Sequence, residues 1–185
     1  YEDDENTTRA FRVVADHLRT STFILGDDRG VSPSNTDQGY ILRRLIRRAV
    51  RSMRLLGVET AVLPELLPVS RDAMKGTYPE VETDFARISR IAYAEEKAFL
   101  RTIASGTERL EDAVKISQAA NKPLPGEDAV TLHDTYGFPI DLTLEVAEEA
   151  GLTVDRAAFD TLMKEQRDRA KADARSRKRL LADTS

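Results

Sequence analysis

Six arginines, Arg43, Arg44, Arg47, Arg48, Arg51 and Arg54, recur with no acid between Asp37 and Glu59. Gathered on one helix face they would repel one another unless something negative lay against them. A guanidinium never loses its charge and grips phosphate oxygens through paired N–H donors. The run therefore predicts either a phosphate-backbone contact or ion pairs to the acidic half of the chain. Asn35 stands just ahead of the run, where its side chain would serve as an N-cap. Asp134 stands in His133-Asp134-Thr135-Tyr136-Gly137-Phe138-Pro139, which reads as a compact turn suited to an Asx-type aspartate. His17 follows Asp16 and reads as a partly buried histidine with one hydrogen bond rather than a catalytic base. His133 is expected at the surface. Glu95-Glu96 and Glu148-Glu149 are acidic pairs whose members point to different helix faces. Both pairs are expected to be solvated.

Much other chemistry is excluded. The 185 residues contain no Cys and 2 His, which removes thiolate sites, disulfides and a multi-histidine zinc site. No Walker-type loop, GxGxxG, H-E-x-x-H or G-x-S-x-G sequence occurs. No catalytic centre is evident, so the chain alone is expected to be inactive. No apolar run approaches the roughly 20 residues that span a bilayer. The acidic start Tyr1-Glu2-Asp3-Asp4-Glu5 does not fit a signal peptide. A soluble intracellular protein is expected, and a first residue other than Met reads as a piece of something longer. The formal net charge is −4, but Arg9 to Gly57 carries 10 basic and 4 acidic residues. Glu80 to Ala150 carries 7 basic and 15 acidic, and Arg167 to Arg179 carries 7 basic and 2 acidic. Basic stretches inside an acidic chain say more about partners than the total does.

The elements that must hold these residues are helical. Ala10, Phe11, Val14 and Leu18 predict a helix over about 8–20, capped by Thr7 or Thr8. Phe23-Ile24-Leu25 before Gly26-Asp27-Asp28-Arg29-Gly30 fits a small hairpin near 22–32 or an irregular loop. A second helix over about 37–56 places Leu42, Leu45, Ile46, Ala49, Met53 and Leu56 opposite the arginines, which are expected to face solvent. Ser34-Asn35-Thr36-Asp37 resembles a capping box with Asp in place of Glu or Gln, and Gly57 is a stop. Pro64, Pro68 and Pro79 break the chain between 58 and 82 into short pieces. Phe85, Ile88, Ala92, Phe99 and Ile103 predict a long helix over about 82–104, with an extension through Leu110, Ala113 and Val114. A short helix over about 139–150 closes at Gly151. A last one begins near Asp155, with Phe159, Leu162 and Met163 as its apolar patch. Beyond Gln166 the charged sequence is expected to leave the core. The fold class expected is mainly α, a bundle-like helical domain.

Arg12-Val13-Val14-Ala15-Asp16-His17-Leu18-Arg19, Pro33-Ser34-Asn35 with Gly39-Tyr40-Ile41-Leu42-Arg43-Arg44-Leu45-Ile46-Arg47-Arg48-Ala49, and Asp134-Thr135-Tyr136-Gly137-Phe138-Pro139-Ile140-Asp141-Leu142-Thr143 are three segments that resemble alanyl-tRNA synthetases. Tyr78-Pro79-Glu80 and the Glu95/Phe99 spacing are similar to the family too. The loop Gly26 to Val31 is longer and more acidic than the family's. The resemblance implies a helical tRNA-recognition domain over 1–166, and a charged helical extension over 167–185 that leads to a further domain. It implies that Asn35 and Asp134 read the G·U wobble pair of the tRNA(Ala) acceptor stem, and that Arg43, Arg44, Arg47, Arg48, Arg51 and Arg54 hold its backbone. The parent would be a cytoplasmic ligase joining alanine to tRNA with ATP and Mg²⁺ in an upstream catalytic core. Zn²⁺ would belong to its downstream editing domain, and no cofactor to this region. Two other readings of the residues are a general helical RNA- or DNA-binding module and a helical protein-interaction module with a basic face.

Overall fold

The computed structural model describes residues 5–27 and 30–183. Among these the chain is mainly α, as expected. Its helices are α1 Glu5–Leu25, α2 Asp37–Leu55, α3 Leu63–Met74, α4 Pro79–Thr83, α5 Phe85–Leu100, α6 Ile103–Ala120, α7 Gly126–Tyr136, α8 Ile140–Glu149 and α9 Arg156–Asp183. Contacts divide the chain into two compact units, Tyr1–Ser105 and Gly106–Ser185. The acidic start, Asp28, Arg29 and the side chains of Asn6, Thr7, Ala10 and Phe11 lie outside what is described.

In the first unit α1 packs along α2, and α5 closes against α2 and α3. The stripe expected on α2 is buried at Leu42, Ile46 and Ala49, joined by Val50. Val14, Leu18 and Leu25 of α1 and Ile88, Ala92 and Phe99 of α5 complete this core. Four sequence expectations are corrected by these helices. The hairpin near 22–32 does not form, because Thr22 to Leu25 are the last residues of α1. Ser21 and Thr22 are buried and donate their hydroxyl protons to the carbonyls of His17 and Leu18 at 2.7 Å each, so the polar groups stay satisfied within the helix. Thr7 and Thr8 are not a cap, since α1 already contains them. The single long helix expected over 82–104 is instead the end of α4, the whole of α5 and the start of α6. The Thr102 N–H bonds the Phe99 carbonyl at 3.0 Å, a tightened turn that ends α5 before α6 starts. Pro64 sits at the start of α3, but Pro68 lies inside that helix rather than breaking it.

In the second unit α7 packs on α9 and α8. Ala129, Leu132, Phe138, Ile140, Leu142, Ala147 and Phe159 are buried. An isolated parallel bridge joins Leu124 to Val154, with Leu124 N–H on the Thr153 carbonyl at 2.9 Å. It ties the loop before α7 to the loop before α9. Asp155 caps α9, as expected, by accepting the Ala158 N–H at 3.0 Å. From Arg167 to Ala182 α9 is exposed throughout. The compact turn expected over 133–139 is corrected. His133 to Tyr136 are the last turn of α7, and only Gly137 to Pro139 turn. Gly137 ends the helix at φ 68°, a left-handed conformation that costs glycine nothing, and the next N–H, of Phe138, returns to the Leu132 carbonyl at 2.9 Å.

Candidate nucleic-acid interface

Asn35 lies in the loop that enters α2, and that loop is fastened to the helix. The Ser34 N–H bonds the Gly39 carbonyl at 3.0 Å, and the Ser34 hydroxyl donates to the Thr36 carbonyl at 2.9 Å. A Cβ at Gly39 would collide with Ser34 Oγ and the Ser32 carbonyl, so only glycine lets the loop approach this closely. Asn35 is not the N-cap expected. Thr36 holds that position and makes no side-chain cap bond. The Asn35 side chain instead accepts a hydrogen bond at Oδ1 from Arg43 Nη1 at 2.6 Å, in the second turn of α2, and remains exposed.

The arginine face is only partly a solvent face. Arg43 Nε and Arg47 Nε both donate to Glu95 Oε1, at 2.9 and 2.7 Å. A third, long contact runs from Arg43 Nη2 to Glu95 Oε2 at 3.5 Å. Arg47 is buried and its guanidinium lies over the Phe99 ring, 5.0 Å from the centroid. Burial pulls its pKa down, and the adjacent carboxylate opposes that. For Arg43 and Arg47 the ion-pair alternative is therefore realised, and the outward orientation expected of Arg47 is corrected. Arg44 and Arg48 are half-buried and close enough to His17 of α1 to disfavour its charged form. Arg51 and Arg54 are half-buried, and Arg54 reaches the exposed Glu59 only at 3.7 Å.

Glu95 and Glu96 are both buried, contrary to the solvated surface expected of them. Adjacent residues on a helix do diverge, but α5 is covered on both of the faces they reach. Glu95 goes to the arginines of α2. Glu96 goes to the start of α3, where its carboxylate accepts the Val62 N–H at 3.0 Å and the Leu63 N–H at 3.2 Å. Those are N–H groups a helix leaves without internal partners. Burial pushes the Glu96 carboxyl up, against the two N–H bonds that favour its charged form. The signal for both was periodic. Ile88, Ala92, Glu95, Glu96, Phe99 and Ile103 follow the spacing of one buried stripe, and the acids occupy places that apolar residues fill elsewhere.

Asp134 belongs to the second unit and has its own partners. Its Oδ1 lies 2.9 Å from His133 Nδ1, and its Oδ2 accepts from Gln166 Nε2 of α9 at 2.7 Å. A carboxylate can only accept, so Nδ1 carries the histidine proton. The His133 side chain is 8% exposed rather than at the surface, and its ring meets the buried Phe159 edge-on at 6.1 Å. The Asx turn expected of Asp134 is replaced by a helical position braced from two sides, with the residue still exposed. Gln166 carried no sequence signal, because its role depends on α9 packing against α7. Among the described residues no three His, Cys, Asp or Glu side chains gather where they could hold a metal ion, and no helix is long and apolar enough to cross a membrane.

Residues 1–185 match the family described as tRNA synthetases class II (A). The chain is 72% identical to the alanine–tRNA ligase of Arthrobacter sp. (strain FB24), over 94% of the chain and 19% of the relative. It is 62% identical to that of Kocuria rhizophila, over all of the chain and 20% of the relative. It is 57% identical to that of Mycolicibacterium smegmatis, over 95% of the chain and 19% of the relative. The chain thus spans about a fifth of the length of the curated relatives it matches.

Proposed function

Because the chain belongs to the class II (A) tRNA synthetases, we propose that it is the tRNA-recognition region of an alanine–tRNA ligase. In this reading Asn35 and Asp134 test the G·U wobble pair of the tRNA(Ala) acceptor stem, and arginines of α2 hold the stem's phosphates. The parent enzyme joins alanine to that tRNA in the cytoplasm, with ATP and Mg²⁺ handled upstream and Zn²⁺ in an editing domain downstream. The 167–185 segment is the charged extension toward that downstream domain.

The observation that carries the reading is the bracing of two exposed polar side chains, each inside a segment that resembles the family. Asn35 is held by Arg43, and Asp134 by His133 and Gln166. An A-form stem presents a wide, shallow minor groove in which short side chains reach base edges. The guanine 2-amino group is a donor there. Asp134, an acceptor only, suits that donor. Phosphate contacts supply register and affinity, and base-edge contacts supply the choice. The backbone role is proposed for the arginines of α2 as a group, of which Arg43 and Arg47 also bond Glu95.

The test uses the full-length ligase and two acceptor-stem hairpins that differ only in G·U against G·C. Asn35→Ala and Asp134→Ala are each expected to lower the G·U preference by about 1–3 kcal/mol in kcat/KM ratio, by analogy with base readout in DNA. Unchanged preference in both variants would refute the site. Equal, steeply salt-sensitive binding of every stem would favour a general nucleic-acid module. Lack of RNA binding even at low salt would favour a protein-interaction module.

A further inference from the structure

The basic stretch from Arg167 to Arg179 lies on α9, the last helix of the second unit. That helix is anchored at one end. Phe159 is buried, and Gln166 Nε2 donates to Asp134 Oδ2 of α7 at 2.7 Å. From Arg167 to Ala182 every residue is exposed. At about 100° per residue, Lys164, Arg167, Lys171, Arg175 and Lys178 fall within roughly 80° of one another around the helix axis. Successive members are three or four residues apart, the spacing at which side chains on one helix face are neighbours. The stripe is about 21 Å long at 1.5 Å per residue.

Arg43 and Arg47 of α2 share Glu95, whereas none of these five cations makes an ion pair among the described residues. Asp168 borders the stripe near its start. Asp173 lies on the opposite side, four residues from both Arg169 and Arg177. One face of α9 is therefore charge-balanced, and the other is a row of like charges that repel one another. We propose that this row is a second phosphate-tracking surface, separate from α2, which follows the backbone of the RNA stem. A protein partner would call for an apolar centre, and lysine is depleted from such interfaces. Leu180 and Leu181, the exposed large apolar residues of α9, fall outside the stripe. A phosphate backbone asks only for regularly spaced positive charge. The inference rests on the parent ligase binding an RNA stem, and does not need Asn35 or Asp134 to be its base readers.

Two double substitutions in the full-length ligase separate a face from mere net charge. Lys171→Gln with Arg175→Gln removes two cations from the stripe. Arg169→Gln with Arg177→Gln removes two cations from the balanced face of the same helix. Glutamine keeps a high helix propensity, and all four positions are exposed, so α9 is retained in both variants. Binding of the G·U and G·C acceptor-stem hairpins would be measured across a range of salt concentrations, with thermal midpoints in parallel. The stripe pair is expected to weaken binding of both hairpins severalfold and to flatten the dependence of log Kd on log salt by about 2, one for each phosphate released. The balanced-face pair is expected to change that slope by less than half as much. The ratio of kcat/KM on the two hairpins is expected to stay the same in both variants, because backbone contacts carry no base identity.

Equal flattening by the two pairs would overturn the stripe, since α9 would then act only through its total charge. An unchanged slope in the stripe pair, with salt-sensitive binding by the unsubstituted ligase, would overturn the phosphate contact and leave this face to an acidic protein partner. A G·U preference lowered by the stripe pair would overturn the backbone role. Lack of salt-sensitive RNA binding by the unsubstituted ligase would refute the underlying reading and this one together. Failure of Asn35→Ala and Asp134→Ala to change the G·U preference would refute those two readers alone, and the slope change expected here would still stand or fall on the α9 pairs.

Discussion

His17 shows how a residue's charge state is set by what surrounds it. Its Nε2 is buried with no hydrogen-bond partner among the described residues. Burial lowers its pKa from the ordinary 6.5, and Arg48 and Arg44 add to the effect while Asp16 opposes it. The folded chain therefore resists protonation that the unfolded chain accepts. Such a group contributes stability that is fully present above pH 6.5 and is lost as pH falls through its lowered folded value. The expected outcome is that His17→Gln flattens the fall in stability below about pH 6.5, in urea unfolding read at each pH. A parallel fall in both proteins would show that other groups dominate that window. Arg44 and Arg48 could not be weighed against Asp16 from spacing, since the three share no local motif. That His17 would be partly buried was legible from the stripe it borders.

At the scale of elements, α5 is a wedge whose two acids serve two neighbours. Glu96 caps α3 from a distance, supplying the acceptor that the aliphatic side chain of Val62, the residue ahead of that helix, does not have. Glu96→Leu leaves the Val62 and Leu63 N–H groups buried and unmet, and is expected to cost about 2–6 kcal/mol of stability, at roughly 1–3 kcal/mol per unmet group. Glu96→Gln retains an acceptor and sheds a buried charge, so it is expected to cost less than half as much. Thermal or urea unfolding of the two variants checks the order, and a larger destabilisation by Glu96→Gln would show that the charge itself stabilises α3. Helix positions were mostly legible, because a helix needs only local periodicity. The ends were less so. Where α1 stops, where α5 gives way to α6, and that Asp134 rides on α7 rather than in a turn were decided by contacts outside each segment.

Across the whole molecule, the arginines of α2 are proposed to hold phosphate and not to choose between base pairs. Arg51→Ala with Arg54→Ala in the full-length ligase is expected to weaken binding of G·U and G·C stems alike. It should flatten the dependence of log Kd on log salt by about 1 for each phosphate no longer neutralised. Weakening confined to G·U stems would contradict that division. The sequence by itself determined the helical class, the stripe of α2 and the segments that resemble the family, because periodicity and motif are properties of neighbouring residues. It also singled out Asn35 and Asp134 as candidate readers. Only the tertiary structure decided which charges are buried. Glu95 and Glu96 look like surface acids until α2 and α3 are seen on either side of α5, and six like-charged arginines look equivalent until one carboxylate takes two of them. A charge survives burial only when a partner distant in sequence meets it, so its fate is settled by packing rather than by spacing.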